Sequence, residues 1–346
     1  MRRGIKGSRV AVVGASSLLG KELLQQLEER GFPVERLVTF EDESGEAELP
    51  IVDLGRGEQR LASDESVRSS DLDFTFLAAS PEPWPSFLAK PGEGVEAGCA
   101  VIDLSGRLEP SASVEVRIPM LEAETTSRPE RRGTVAIAPH GATIVTALLL
   151  RRLSARFEIE RVTAHILSPA AEIGPRAIEE LQKQTINLLS FQKIPQDVYG
   201  GRMAFNLLPR LAGKNSTANP QMEARLRREL AAYLGNWAPV PSLRVVQAPV
   251  FYSLSMSFYI ETKGVVLPAA AETALAGDPV RISKATEAPP SAAEASDTET
   301  IWVDRVEADP GHPSGLWLWV VADPLRLAAV NAIQTAESIR KRRSAG

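Results

Sequence analysis

Residues 133–150, Gly-Thr-Val-Ala-Ile-Ala-Pro-His-Gly-Ala-Thr-Ile-Val-Thr-Ala-Leu-Leu-Leu, leave this chain few alternatives. Residues 134–138 are a short β-branched and apolar run that stops at Pro139, and residues 143–153 have the apolar character of a buried helix. The pattern is a strand, a tight turn and a helix. In an α/β sheet such a turn delivers its residues to the carboxyl edge, where a helix amino end offers free N–H groups and where enzymes commonly place a nucleophile. The turn here holds His140, Gly141, Ala142 and Thr143, with neither cysteine nor serine.

A chain of 346 residues is long enough for two cores, because single cores stop growing near 250–300 residues. With 44% hydrophobic and 24% charged residues, the composition is that of an ordinary globular protein rather than a disordered one. The net charge of -5 argues against nucleic acid as a partner, since that needs a basic face. A single cysteine, Cys99, excludes an internal disulfide and a cysteine-based metal cluster, and no metal site is expected. The opening Met1-Arg2-Arg3 and the apolar run after it look like a signal peptide, but Gly14-Ala-Ser-Ser17 and the charged Lys21-Glu22 interrupt the run. No stretch approaches the 18 or so apolar residues of a spanning helix, so the expected location is cytoplasmic, without a membrane partner.

Residues 9–13 read as a strand, followed by Gly14-Ala15-Ser16-Ser17-Leu18-Leu19-Gly20 and a helix with Leu19, Leu23, Leu24 and Leu27 at helical spacing. This is the context of a dinucleotide fingerprint, and Gly14, Ser16, Ser17 and Gly20 are the candidate contacts. The match is imperfect, because Ser17 stands where the middle glycine lets backbone approach a pyrophosphate. The two glycines serve equally well as turn and packing residues. A second strand at 34–40 leads to Glu41-Asp42-Glu43, where a ribose-binding acid would fall. Three acids would repel a 2′-phosphate. No cofactor is certain, and should a dinucleotide bind, NAD is expected over NADP with Glu41 as its contact; a solvated charged turn explains the acids equally well.

Further strands are expected at 73–79, 100–104, 160–167, 243–248, 250–262, 301–307 and 316–321, and helices at 174–189, 220–234 and 270–276. The closing helix, 324–340, carries Leu325, Ala328, Ala329, Ala332, Ile333 and Ala336 on one stripe, suited to pack back on the first domain. The fold class is therefore α/β: a Rossmann-like, doubly wound domain of residues 1–140 with 323–346, and an α+β dimerisation domain of residues 141–322 built on a large mixed sheet.

In this order of elements the chain resembles the aspartate-β-semialdehyde dehydrogenases over almost its full length. The resemblance rests on Val10-Ala-Val-Val-Gly-Ala, Val101-Ile-Asp-Leu-Ser, Ala138-Pro139, Ala204-Phe-Asn206, Ala248-Pro-Val250, Leu316-Trp-Leu-Trp-Val-Val-Ala-Asp-Pro-Leu-Arg326 and Asn331-Ala-Ile-Gln334-Thr-Ala-Glu337. It implies an NAD(P)-dependent oxidoreductase of amino-acid biosynthesis that forms an acyl intermediate on a cysteine and pairs subunits through the second domain's sheet.

The same resemblance implies losses. The cysteine of the family's Asn-Pro-Asn-Cys turn falls on Gly141, with His140 before it, and its general-base histidine falls on Leu254, which cannot exchange a proton. The substrate-orienting glutamine becomes Ser168, the phosphate arginine becomes Glu109 with Arg107 two residues out of register, and the substrate arginine becomes Gln247 or Tyr252. The 2′-phosphate arginine falls near Glu41, and the asparagine after Ser-Asp becomes Pro324.

The expectation is a relative that has lost catalysis, of the Usg type, acting as a homodimeric scaffold or binding protein for an unnamed protein partner. The alternative is an NAD-binding oxidoreductase of the same family with a changed substrate or mechanism, using His140 with Thr143, Ser168 or Ser255. A third reading keeps NAD bound without turnover.

Overall fold

A computed structural model describes residues 7–40, 51–53, 58–60, 69–79, 99–123, 135–284 and 286–345. The chain divides into two compact units, Met1–His140 with Leu325–Gly346, and Gly141–Pro324.

The first unit contains β1 (Ser8–Val13), α1 (Leu18–Glu29), β2 (Val34–Phe40), β3 (Ile51–Asp53), β4 (Glu58–Arg60), β5 (Phe74–Leu77), β6 (Ala100–Asp103), β7 (Val114–Val116), α2 (Pro119–Ala123) and β8 (Val135–Ile137). Six strands form one all-parallel sheet in the order β2-β1-β5-β6-β8-β7, and β3 and β4 pair as a separate hairpin. Parallel strands covered on both faces must be apolar throughout. Every residue of β5 and β6 is buried, and all are apolar except Thr75 and the Asp103 that ends β6. The chain order reverses between β1 and β5, and in such sheets ligands bind at the carboxyl edge beside that point.

The second unit contains α3 (Gly141–Ser154), β9 (Ile159–Ser168), α4 (Pro175–Leu189), α5 (Ala218–Leu234), β10 (Ser242–Gln247), β11 (Leu254–Thr262), α6 (Pro268–Leu275), β12 (Val280–Ile282), α7 (Ala292–Ala295), β13 (Ile301–Val303), β14 (Glu307–Asp309) and β15 (His312–Ala322). Its sheet is mixed, in the order β10-β9-β11-β15-β13-β12, with β14 added against β15. β10 and β9 are parallel, whereas β11 runs antiparallel to β9 and β15.

The last helix, α8 (Pro324–Ala345), continues from the second unit into the first. Its small residues Ala329, Ala332 and Ala336, with Ile333, pack in one core with Val10 and Val12 of β1, Leu23 and Leu27 of α1, and Phe74 and Phe76 of β5. The core of the second unit comes from strict alternation. Val162, Ala164 and Ile166 of β9, Met256, Phe258 and Ile260 of β11, and Leu316, Leu318 and Val320 of β15 are all buried. α3 packs against β9, α5 and α6 and is buried along its length up to the basic pair Arg151–Arg152, which sits where the negative end of the helix dipole favours it.

The opposite face of this sheet is open. Three registered rows cross it: Val246, Leu167, Ser255 and the fully buried Val321; then Arg244, His165, Ser257 and Trp319; then Ser242, Thr163, Tyr259 and Trp317. Trp317 is 41% and Trp319 36% exposed. Tyr259 and Trp317 have ring centroids 4.7 Å apart.

Several local expectations need correction. The buried helix begins at Gly141 rather than 143, so Ala142 and Thr143 lie in its first turn rather than in a loop. β11 begins at Leu254, not at 250, because Ala170 and Ala171 N–H donate to the carbonyls of Val250 and Phe251 and hold residues 250–253 out of the sheet. The three-residue strands β7, β12 and β14 are too short to carry a readable period.

Candidate functional site

In the first unit the candidate residues gather at the carboxyl end of β1. Gly14 has φ +78°, and a β-carbon on it would lie 2.9 Å from the Ala79 nitrogen. A β-carbon on Gly20 would lie 2.8 Å from Ala15 Cα. Both positions therefore admit only glycine. Ser17 is the N-cap of α1: its hydroxyl accepts from Gly20 N–H at 2.9 Å and donates to the Gly14 carbonyl at 2.7 Å. The hydroxyl thus satisfies one of the orphan donors of the helix end. Ser16 lies half-buried in the same turn. Glu41, with the acids after it, lies outside the described residues.

Two strands away, the carboxylate of Asp103 closes the loop after β6. Its Oδ1 accepts from Ser105 N–H and Oγ at 2.8 and 2.6 Å, and its Oδ2 accepts from Leu108 N–H at 2.8 Å. This carboxylate is fully buried, and the loop it shapes presents both Arg107 and Glu109 to solvent. Sequence reasoning missed this role, although Asp followed by Ser two residues later is a readable side-chain turn signal.

Cys99 sits at the other end of the same strand. It precedes β6 at its amino end, is 1% exposed, and has its Sγ 3.4 Å from the Thr75 hydroxyl. Burial pushes its thiol up from the ordinary range. A nucleophilic cysteine needs the opposite, a lowered pKa and access.

In the second unit, the other candidates converge on one end of the mixed sheet. Ser168 ends β9 opposite Gln247 of β10, and Gln247 Nε2 donates to the Ser168 carbonyl at 2.8 Å. Leu254 begins β11 opposite Ala322, two residues before Pro324. Pro324 in turn lies on Gly141. A β-carbon built on Gly141 would be 2.5 Å from the Pro324 carbonyl oxygen, 2.8 Å from its carbonyl carbon and closer still to its Cα. Leu254 is fully buried and belongs to the apolar core. Ser168 and Gln247 are 2% and 1% exposed, and Gln247 Oε1 has no partner among the described residues.

His140 is buried immediately before α3. Of the hydroxyls suggested to work with it, Thr143 is engaged within the second unit. Thr143 donates to Glu229 Oε2 at 2.6 Å, and Arg225 Nε donates to Glu229 Oε1 at 2.7 Å. Ser255 lies on the open face of the sheet, in the row between Leu167 and Val321. The Arg225–Glu229 spacing was legible as a helical i,i+4 pair, but its link to Thr143, 86 positions away in sequence, was not.

Among the described residues no group of three or more His, Cys, Asp or Glu could hold a metal ion, and no helix is long and apolar enough to cross a membrane.

Two family models match the chain, and between them they follow the two units. Residues 9–128 match a semialdehyde dehydrogenase NAD binding domain, and residues 150–327 match a semialdehyde dehydrogenase dimerisation domain. The chain belongs to the semialdehyde dehydrogenase family. Within the family it is 29% identical to an aspartate-semialdehyde dehydrogenase of Shewanella violacea, over 95% of this chain and 96% of that protein. It is 27% identical to a USG-1 protein homolog of Pseudomonas aeruginosa, over 96% and 97%. A solved structure of a probable aspartate-semialdehyde dehydrogenase from Pseudomonas aeruginosa superposes with a TM-score of 0.81 at 26% identity, covering 98% of this chain and all of that one. The fold is thus a Rossmann-like parallel-sheet unit with a mixed-sheet dimerisation domain.

Proposed function

We propose that this chain is a member of the semialdehyde dehydrogenase family that no longer performs acyl transfer and acts as a dimeric scaffold or binding protein. One observation carries the reading: the space that a side chain at position 141 would need is filled by the Pro324 backbone. A nucleophile there is excluded by packing as well as by the identity of the residue. The position matched to the family's general base holds Leu254, which has no proton to exchange and is fully buried. Cys99 is no substitute, because its buried thiol holds its proton and lies at the amino end of β6. Losing nucleophile and base together typically removes several thousandfold or more of rate.

The test is a steady-state assay of the purified protein for phosphate-dependent oxidation of aspartate semialdehyde with NAD and with NADP. The expected rate is that of the no-enzyme control. A rate that rises in proportion to protein concentration would overturn the reading.

The open face of the second unit supports a homodimer, because the rings of Trp317 and Trp319 stand partly uncovered on it in a single copy. A single species of monomer mass at micromolar concentration would remove that part.

A second reading retains a dinucleotide without turnover. The glycine geometry at Gly14 and Gly20 supports it, together with the match of residues 9–128 to an NAD binding domain. Against it, Ser17 accepts from the Gly20 N–H and so occupies one of the donors of this helix end. Isothermal titration with NAD and NADP separates the readings: saturable heat favours retention, and none up to millimolar ligand favours the scaffold.

A further inference from the structure

The amino edge of the parallel sheet, opposite the edge that carries the glycine turn, holds three arginines around one cavity. Its walls include Arg9 of β1, Glu35 of β2, Asp73 just before β5, and Arg340 and Arg343 of α8. All of these belong to the first unit. The cavity measures 380 Å³, at the lower end of the range of about 300–1,000 Å³ that small-ligand sites occupy.

Each guanidinium is positioned by its own chain. Arg9 donates to Asp73 through Nε at 3.2 Å and Nη2 at 3.1 Å, and its backbone N–H adds a third bond at 2.8 Å. This pair neutralises itself. Arg340 lies over the Phe32 ring, 5.8 Å from its centroid, and Arg343 over the Phe74 ring at 5.6 Å. The two rings meet edge to face at 5.9 Å and are both buried, so the guanidiniums rest on a fixed aromatic floor. Stacking on a ring holds a guanidinium without using an N–H donor. Of the five donors on each, Arg343 uses one, to the Asp73 carbonyl at 3.2 Å, and Arg340 has no hydrogen-bond acceptor among the described residues. Three guanidiniums against the carboxylates of Asp73 and Glu35 leave the walls with one net positive charge. The helix dipole accounts for cations in the last turn of α8, but not for two of them lining the same cavity as Arg9.

We propose that this cavity binds the phosphate group of a small ligand between Arg340 and Arg343. Guanidinium forks match paired oxygens, and a phosphate group, with a charge of about -1.5 to -2 near neutral pH, offers enough oxygens to engage two forks at once. A single carboxylate offers one such face, and Arg9 already has that of Asp73. The site is separate from the glycine turn of residues 14–20, which stands at the other end of the six-residue β1, about 20 Å away. It is independent of whether the chain oxidises a semialdehyde.

The experiment is isothermal titration of the full chain with inorganic phosphate and with glycerol 3-phosphate at constant ionic strength, comparing wild type, Arg340→Gln, Arg343→Gln and Lys341→Gln. Lys341 is exposed on the same helix turn and does not line the cavity, so its variant removes an equal charge while leaving the site intact. The expected result is saturable binding to wild type, weakened about tenfold or more by each arginine variant and less than about twofold by Lys341→Gln. Tighter binding of the ester than of inorganic phosphate identifies the ligand as a phosphorylated small molecule, and the reverse identifies free phosphate. No saturable heat with either probe overturns the site. Equal weakening by all three variants overturns it too, since that is diffuse attraction to a basic helix end. Wild-type affinity in either arginine variant places the anion elsewhere and has the same consequence. Should a glutamine variant melt below wild type, Arg340→Lys and Arg343→Lys replace the pair: they keep the charge and lose the fork, and binding unchanged in them overturns the proposal.

Discussion

Gly141 and Pro324 are in contact so close that neither leaves room for a side chain between them: a β-carbon on Gly141 would stand 2.5 Å from the Pro324 carbonyl oxygen. They are the first and last residues of the second unit, joined across 183 positions of sequence by the return of β15 beside β11. Gly141→Ala should therefore destabilise the protein by about 1–3 kcal/mol through overpacking, read as a lower urea midpoint at unchanged slope. Gly141→Cys should be destabilised at least as much and should still show no semialdehyde oxidation. A cysteine variant as stable as wild type would mean that the Pro324 backbone yields easily, and the packing argument would then fail.

Ser17 tests whether the glycine turn is built for itself. Ser17→Ala leaves the Gly20 N–H without its acceptor and should cost about 1 kcal/mol, the usual value of a lost N-cap, whereas Ser17→Gly should cost only a few tenths. Equal losses in thermal or urea melts would show that the cap contributes nothing.

The Thr143–Glu229 bond sits in the core of the second unit. Thr143→Val preserves shape but removes the donor from a carboxylate that is 3% exposed, and the expected loss is about 1–3 kcal/mol. Glu229 would retain only Arg225 Nε of the two bonds described. A variant as stable as wild type would show that the carboxylate finds another donor.

Cys99 offers a prediction with a sign. Its thiol pKa lies above the ordinary range because burial disfavours the thiolate, so the folded state binds this proton more tightly than the unfolded state does. Its stabilising contribution is complete below the ordinary thiol pKa and is lost as pH rises through the folded value. Native protein should accordingly react with a thiol-specific disulfide reagent at pH 8 at least a hundredfold more slowly than protein in urea. Comparable rates would place this cysteine in an accessible, activated setting and reopen its candidacy.

Much of the fold was legible because it follows from local periodicity. The apolar run of residues 143–153 could only be a buried helix, and the alternation of Val162, Ala164 and Ile166 could only be a half-buried strand with His165 outward. The absence of cysteine and serine from residues 140–143 was equally plain. Helix and strand ends were less legible, since the start of β11 at Leu254 depends on hydrogen bonds from Ala170 and Ala171, some eighty residues earlier.

By itself, then, the sequence determined which groups are chemically absent: a glycine has no nucleophile and a leucine has no proton to transfer, whatever surrounds them. It also determined the types of the longer elements, because helical and strand periods are properties of neighbouring residues. Only the tertiary structure decided what fills the vacated positions. That Pro324 lies on Gly141, that Ser17 turns its hydroxyl back on Gly14 and Gly20, that Thr143 meets Glu229, and that Leu208 pairs with Gln247 are all contacts between residues set together by packing. No local pattern encodes such contacts, because they arise when distant apolar faces are buried against one another and the backbone is carried along with them.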